Sequence, residues 1–201
     1  MGDAPRALSS SGALRPAGTN EGREREAGMK VIEAGGLRLE PQVAAHAAEM
    51  FVVLSDPAIY EFENEPPPSL DWLRTRFTKL ETRLSGDVKE QWLNWVIRLP
   101  GSGLIGYVQA TVTAEGDATI AYELSSPHWG RGLGYQAVRA MLSELQAHYR
   151  VRRLFAVFKR ANFRSRRLLE RLGFTPGTPQ QHVEQQVAPD EDLMTMPAAD
   201  D

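Results

Sequence analysis

Cysteine is absent from all 201 residues. Without a thiol there is no disulfide framework, no thiolate-bound metal and no cysteine nucleophile. Histidine is sparse: His46, His128, His148 and His182 are scattered, with no His-Glu-x-x-His pair to set two imidazoles on one helix face. No metal site is expected. Long apolar runs are missing too. Nothing approaches the roughly 20 residues that cross a bilayer, and the N-terminus lacks the basic-then-apolar order of a signal peptide. The chain is expected to be cytoplasmic, with no membrane partner. An excess of positive charge is also lacking: the net charge is −3, which argues against nucleic acid as a partner.

What is present is ordinary for one soluble domain of the α/β or α+β class, with 42% hydrophobic and 24% charged residues. Residues 1–28, rich in Gly, Ser, Ala and Pro with balanced charges, show no apolar period and read as a disordered tail. Residues 29–201 read as a single domain. Residues 36–40 alternate as a first strand, stopped by Pro41, and 42–54 look helical until Ser55-Asp56-Pro57. Ser69 is placed to cap a second helix through about Leu84, with Leu70, Leu73, Phe77, Leu80 and Leu84 at helical spacing. Three strand-like runs at 91–99, 104–112 and 118–125, joined by turn residues, predict an antiparallel meander. A long helix over 132–149, a buried strand over 152–158 and a short helix over 162–172 closed by Gly173 follow. Weak strand signals lie around 182–187 and 192–196. This order predicts a mixed, mostly antiparallel sheet with helices on both faces.

Two segments carry chemistry. Trp129-Gly130-Arg131-Gly132-Leu133-Gly134-Tyr135-Gln136-Ala137 joins a strand to the long helix. Glycines there let bare N–H groups approach a ligand, and the first turn of a helix adds unpaired donors and a positive dipole end. That pairing suits a phosphate or pyrophosphate, although a tight strand-to-helix connection would read the same. A dinucleotide fold fits poorly, since the strand after the helix ends Phe158-Lys159-Arg160 rather than in an acid. The second segment is Asn162-x-x-Ser165 followed by Arg167-Leu168-Leu169-Glu170-Arg171-Leu172-Gly173-Phe174.

Together with Tyr122-Glu123-Leu124, these segments resemble the GNAT superfamily of N-acetyltransferases, and within it the RimJ/RimL-like branch. The likeness runs in element order from Leu37 to Phe174 and is strongest from Tyr122 onward. One departure stands out: Trp129 occupies a position where the superfamily usually has Gln or Arg. The resemblance implies an α+β (mixed α/β) GNAT fold whose fourth and fifth strands splay like a V. It implies acetyl-CoA as cosubstrate, a core for it over 118–174, and a homodimer as a family habit. The cofactor-binding set it implies is Leu124, Arg131, Gly132, Leu133, Gly134, Tyr135, Gln136, Asn162 and Arg167, with the pyrophosphate on the amides of residues 131–136.

Acyl transfer to an amine needs a neutral nitrogen and a proton for the departing thiolate. With no cysteine and no Gly-x-Ser-x-Gly elbow, direct attack is expected. Glu123 is the candidate for removing the amine proton through water, unless it is an ordinary strand carboxylate. Strand alternation places it opposite Tyr122 and Leu124. Ser165 is the candidate acid, unless its hydroxyl bonds back to a carbonyl one turn earlier. Asn162 is either a helix N-cap, a ligand to water or pantetheine, or both. Lys159, Arg160, Arg164, Arg166, Arg167 and Arg171 form a basic patch, most of it a solvated face. Acceptor choice is expected in 56–95, where Glu61, Glu63 and Glu65 beside Tyr60 and Phe62 would favour a cationic amine. Trp92 and Trp95, three apart, fall on opposite faces. The acceptor is a protein N-terminus or a small amine. An antibiotic amine and a non-catalytic acyl-CoA-binding module are the alternatives.

Overall fold

The computed structural model describes residues 28–62 and 65–197. The tail expected over 1–28 therefore lies, apart from Gly28, outside the described residues. A hairpin of β1 (Ile32–Ala34) and β2 (Leu37–Pro41) opens the fold. A short 3-10 turn then leads into α1 (Ala47–Val53), and α2 spans Leu70–Leu80. The meander is β3 (Glu90–Leu99), β4 (Gly103–Thr113) and β5 (Asp117–Leu124). Then come α3 (Leu133–His148), β6 (Arg153–Lys159), α4 (Phe163–Leu172), β7 (Thr175–Pro176), α5 (Pro179–Glu184) and β8 (Glu191–Pro197). One eight-stranded sheet runs β1-β2-β3-β4-β5-β6-β8-β7, antiparallel at every step except the parallel β5–β6 pair.

Local chemistry explains most boundaries. Ser69 accepts the N–H of Trp72 and starts α2, which stops at Leu80, a turn short of the expected end. The stretch at 182–187, read as a weak strand, instead belongs largely to α5. Thr178 and Gln181 form a capping box there and Pro179 sits at the first helical position, local signals that override the short alternation. The strand expected near 192–196 is β8. β1 went unread because three residues are too few to show a period.

Two cores flank the sheet. On one face Val138, Met141, Leu142 and Leu145 of α3, with Leu169 of α4, pack on Trp95, Val108, Ile120 and Leu154. On the other, Ala47, Met50 and Val53 of α1 and Leu73 and Phe77 of α2 cover Val96 and Leu104. Trp95 lies in the first core and Trp92 sits under Lys79 of α2, so the two indoles do take opposite faces. Neither lines the central cavity.

The parallel pair positions everything that follows. β5 and β6 are in register at Asp117↔Arg153, Ala118↔Leu154 and Thr119↔Phe155, and no further. Arg153 closes the vertex with two bonds to the Asp117 carboxylate, at 2.7 and 2.6 Å. Beyond it each strand follows its other neighbour: β5 stays on β4 as far as Gly106↔Leu124, and β6 on β8 as far as Lys159↔Glu191. A V results. The approach of β4 to β5 is very close at its open end. A side chain on Gly106 would begin 2.0 Å from the Glu123 carbonyl oxygen. Just beside it Ile105 is the extra residue of a bulge between Ile97↔Gly106 and Arg98↔Leu104.

Candidate active site

A cavity of about 470 Å³ fills the opening of the V. Its walls are Ile120 to Leu124 of β5, Ala156 to Phe158 of β6, the start of α3 and the inner face of α4. A broader groove of about 940 Å³, between the β1–β2 hairpin and α3, meets it at Gly132, Tyr135 and Arg171.

The start of α3 is built to offer donors. Gly132 is its N-cap with φ +75°, a left-handed conformation in which a Cβ would be strained. Gln136 N–H already bonds to Gly132 O at 3.1 Å, the first turn of the helix. The expected cradle of amides to residue 136 is therefore shorter: Leu133, Gly134 and Tyr135 lead the helix with no carbonyl one turn behind them. The Gln136 side chain lines the outer groove together with Arg131, Arg139 and Arg171. Gly134 keeps the helix close to α4, since a Cβ there would lie 3.2 Å from Leu168.

Trp129, the departure from the usual motif, turns back on its own chain. Its indole N–H donates to the Leu124 carbonyl at 2.7 Å, and Arg164 stacks over its ring at 4.2 Å. It braces the end of β5. The Leu124 N–H meets the Glu123 carboxylate at 3.2 Å, and the Leu124 side chain lies in the cavity wall.

Across the V, Asn162 caps α4 by accepting the Ser165 N–H at 3.0 Å. This fixes Ser165, whose hydroxyl lies 2.7 Å from that of Tyr122. The Tyr122 hydroxyl is held protonated well above the ordinary phenol range, chiefly by burial and also by the charge of Glu123, against the Ser165 hydrogen bond. In sequence Tyr122 stands out only as part of a motif. Its hydroxyl's partner depends on how far α4 stands from β5, which no spacing reveals. Glu123 lines the same cavity and acts by its charge on Tyr60, whose hydroxyl donates to Leu54 O. Burial, with Glu123 and Asp56 nearby, pushes the Tyr60 phenol up to about 12.

Ile59 and Phe62 close the acceptor end of the cavity. Among its described residues, the acidic loop expected there lines the cavity with no unpaired carboxylate. Glu61 is paired with Arg164 at 2.7 Å, Glu65 is exposed, and Glu63 lies outside the described residues. The basic patch is likewise largely spent on β8: Lys159 bonds Asp190 and Glu191, while Arg160 and Arg166 share Asp192. Arg167 and Arg171 both line the cavity, and Arg171 stacks on Tyr135 at 4.2 Å.

Asp56 ties the acceptor turn to the cavity rim. Its carboxylate accepts Ser126 N–H at 2.6 Å and Ala58 N–H at 3.0 Å. Burial alone would raise its pKa, but these bonds win and hold it below the usual carboxylate value. A depressed carboxylate adds stability above the unfolded pKa that is lost as pH falls through the folded one. Asp56→Asn is expected to cost about 2 kcal/mol, read as a melting temperature lower by about 4–8 °C at pH 7. The gap between the two proteins should begin to narrow below about pH 4, where the unfolded chain's carboxyl takes up a proton, and close as pH falls through the depressed folded value.

Splayed parallel strands with helix amides at their mouth and a hydroxyl pair inside define an acyl-CoA-dependent transferase. The chain matches the acetyltransferase (GNAT) domain over residues 36–175, and it belongs to that family. No curated protein sequence matches it. Among solved structures it resembles RimL, a ribosomal L7/L12 alpha-N-protein acetyltransferase in complex with coenzyme A, at 15% identity, TM-score 0.71, covering 84% of this chain and 98% of that one. It also resembles a ribosomal-protein-S5-alanine acetyltransferase from Vibrio fischeri, at 16% identity and TM-score 0.72, covering 86% and 98%. A third likeness is the microcin C7 self-immunity acetyltransferase MccE in complex with acetyl-CoA and AMP, at 16% identity and TM-score 0.67, covering 81% and 93%. The chain is an acetyl-CoA-dependent N-acetyltransferase with the fold of the RimJ/RimL-like branch.

Among the catalytic and cofactor residues expected from sequence, Glu123, Ser165, Asn162, Leu124, Gly132, Leu133, Gly134, Tyr135 and Arg167 come together around the V-shaped cavity. Arg131 and Gln136 line the adjoining groove.

Proposed function

We propose that this chain acetylates the α-amine of a peptide or protein by direct attack of the nitrogen on the acetyl-CoA thioester. The observation that carries the reading is the Tyr122–Ser165 hydroxyl pair set in the same cavity as the leading amides of α3. Those amides suit the pyrophosphate, and Arg131, Arg167 and Arg171 supply nearby positive charge. The parted edges of β5 and β6 offer backbone groups to the pantetheine amides. Glu123 takes a proton from the attacking amine through water, and Ser165 supplies one to the departing thiolate. Asn162 fixes Ser165 through the α4 cap.

The acceptor wall favours one ammonium on a partly apolar body. Ile59 and Phe62 are apolar, Glu123 is the carboxylate in the cavity wall, and Arg164, Arg167 and Arg171 add positive charge around it. Polycationic aminoglycosides and polyamines would meet repulsion there. A non-catalytic acyl-CoA sensor would have no use for the part-buried hydroxyl pair.

Saturating acetyl-CoA is expected to raise the melting temperature by several degrees, since ligand at about 100 Kd adds about 2.7 kcal/mol. Free CoA should then appear with α-amino peptides and much less with aminoglycosides or polyamines. Absence of any thermal shift at saturation removes the acyl-donor assignment. A shift without CoA release from any amine returns the sensor reading.

A further inference from the structure

The proton on an incoming ammonium is the first obstacle to acetyl transfer, and a second basic group stands at the cavity where the acceptor turn meets it. His128 ends the short turn Ser126–His128, and its ring lines the cavity with Glu123, Ile59 and Phe62. Nδ1 lies 3.0 Å from Ser125 Oγ. The Ser125 hydroxyl is nearly buried and donates to the Ile105 carbonyl at 3.3 Å, so its oxygen is left as an acceptor. With the hydroxyl turned to Ile105 in this way, Nδ1 carries the hydrogen and the lone pair falls on Nε2. Nε2 makes no hydrogen bond or ion pair among the described residues. The turn is gripped from the far side by the Asp56–Ser126 bond. The charged and titratable groups around the ring are Asp56 and Tyr60 from the acceptor turn, Tyr122 and Glu123 from β5, Arg131 from its own connection and Arg164 from α4. Burial and the charge of Arg131 both favour the neutral ring.

We propose that His128 is a second proton acceptor of this site, taking a proton at Nε2 from the incoming ammonium while Glu123 holds that ammonium by charge. The proposal rests on the acetyl-transfer reading above. R–NH3+ gives one proton to Nε2, leaving R–NH2 and an imidazolium. The nitrogen lone pair forms the C–N bond at the thioester carbonyl as the C–S bond breaks. The second nitrogen proton leaves through Glu123 and water. The thiolate gains a proton from Ser165, which recovers one from water, and the imidazolium returns its own to solvent. Nitrogen loses two protons, sulfur gains one, and one is released. Imidazole, ordinarily about 6.5, is better matched to an α-amine at about 7.7–8.0 than carboxylates as a class at about 4. It is a poorer match to a lysine amine at about 10.4.

His128→Asn in the full chain separates the two ring nitrogens, because the asparagine amide can still donate to Ser125 but has nothing at Nε2. Long-range proton–nitrogen NMR on the wild type, assigned by the signal lost in the variant, should show the Nδ1–H tautomer, titrating below free imidazole. An Nε2–H tautomer, or a ring charged at neutral pH, overturns the proposal. With an alanine-initiated peptide as probe, the variant should lose about 100-fold in kcat and the acid limb of its kcat/KM profile. Its acetyl-CoA thermal shift should match the wild type. A kcat within about threefold and an unchanged acid limb also overturn it. Failure of the parent reading looks different: the wild type itself then shows no thermal shift and releases no CoA.

Discussion

Replacing Ser165 with alanine lowers kcat about 100-fold while the acetyl-CoA thermal shift stays within a degree or so of wild type, the scale expected for loss of one proton donor. The fold should survive, because the α4 cap uses the Ser165 backbone N–H and the Asn162 side chain, neither of which the substitution removes. What disappears is the hydroxyl 2.7 Å from Tyr122. The Tyr122 phenol is held protonated, so it has a hydrogen to give in that pair, where either hydroxyl can donate; the tyrosine as donor is the arrangement that serves catalysis. With the Ser165 oxygen satisfied from behind, its own hydrogen is free to turn toward sulfur. A thiol ordinarily near 8.5 leaves as an anion unless a donor meets it. Tyr122→Phe removes the support but keeps the serine, and about a tenfold loss follows. The double variant should be little worse than Ser165→Ala alone, since the pair acts as a unit. Steady-state kinetics at saturating acetyl-CoA, with melting curves in parallel, decide the matter. If turnover and thermal shift fall together, Ser165 is a binding or structural residue instead.

Gly106→Ala is expected to destabilise the chain by about 3 kcal/mol, or roughly 6–12 °C in melting temperature. The reason is the 2.0 Å approach of its missing Cβ to the Glu123 carbonyl oxygen. A backbone oxygen in a paired strand cannot swing aside as a long side chain would. Relief has to come from moving β4 away from β5, which breaks the Ser125–Ile105 backbone bond and displaces Glu123. Activity should therefore fall further than stability alone accounts for. Urea denaturation measures the first effect and CoA release at low temperature the second. An alanine variant with wild-type melting and turnover would mean that the strands stand farther apart than described.

The parts of this molecule that were legible beforehand are those whose cause is local. Leu70, Leu73 and Phe77 announce α2, and Ser69 announces its start. Asn162 and Gly173 bracket α4 because one is a good cap and the other takes a left-handed φ of +96°. The meander follows from three alternating runs. The α3 entrance was legible as glycines before an apolar stripe, though not that Gln136 N–H is already engaged. What stayed hidden depends on distance between elements. Nothing near Tyr122 in sequence says that α4 brings Ser165 to its hydroxyl. Nothing near Glu61 says that Arg164, 103 residues later, pairs with it. His128 passed as one of four scattered histidines, although Ser125 three residues earlier was a local hint. Trp129 stood out in sequence only as a departure from the motif, since its bond to the carbonyl of Leu124 depends on how the chain turns after β5.

The Asp56–Ser126 bond and the Glu61–Arg164 pair tie together two stretches that lie far apart in sequence. Everything that would grip the acyl donor comes from residues 117–172, whereas the apolar part of the wall facing the acceptor, Ile59 and Phe62, comes from the turn at 56–62. Such a layout is modular. The turn can change length or character, so long as an acid at its first position still hooks the rim, without disturbing the machinery behind it. Variation among related enzymes would then be concentrated in a short interchangeable cassette, and exchanging that cassette would be the economical way to redirect this scaffold to a new amine.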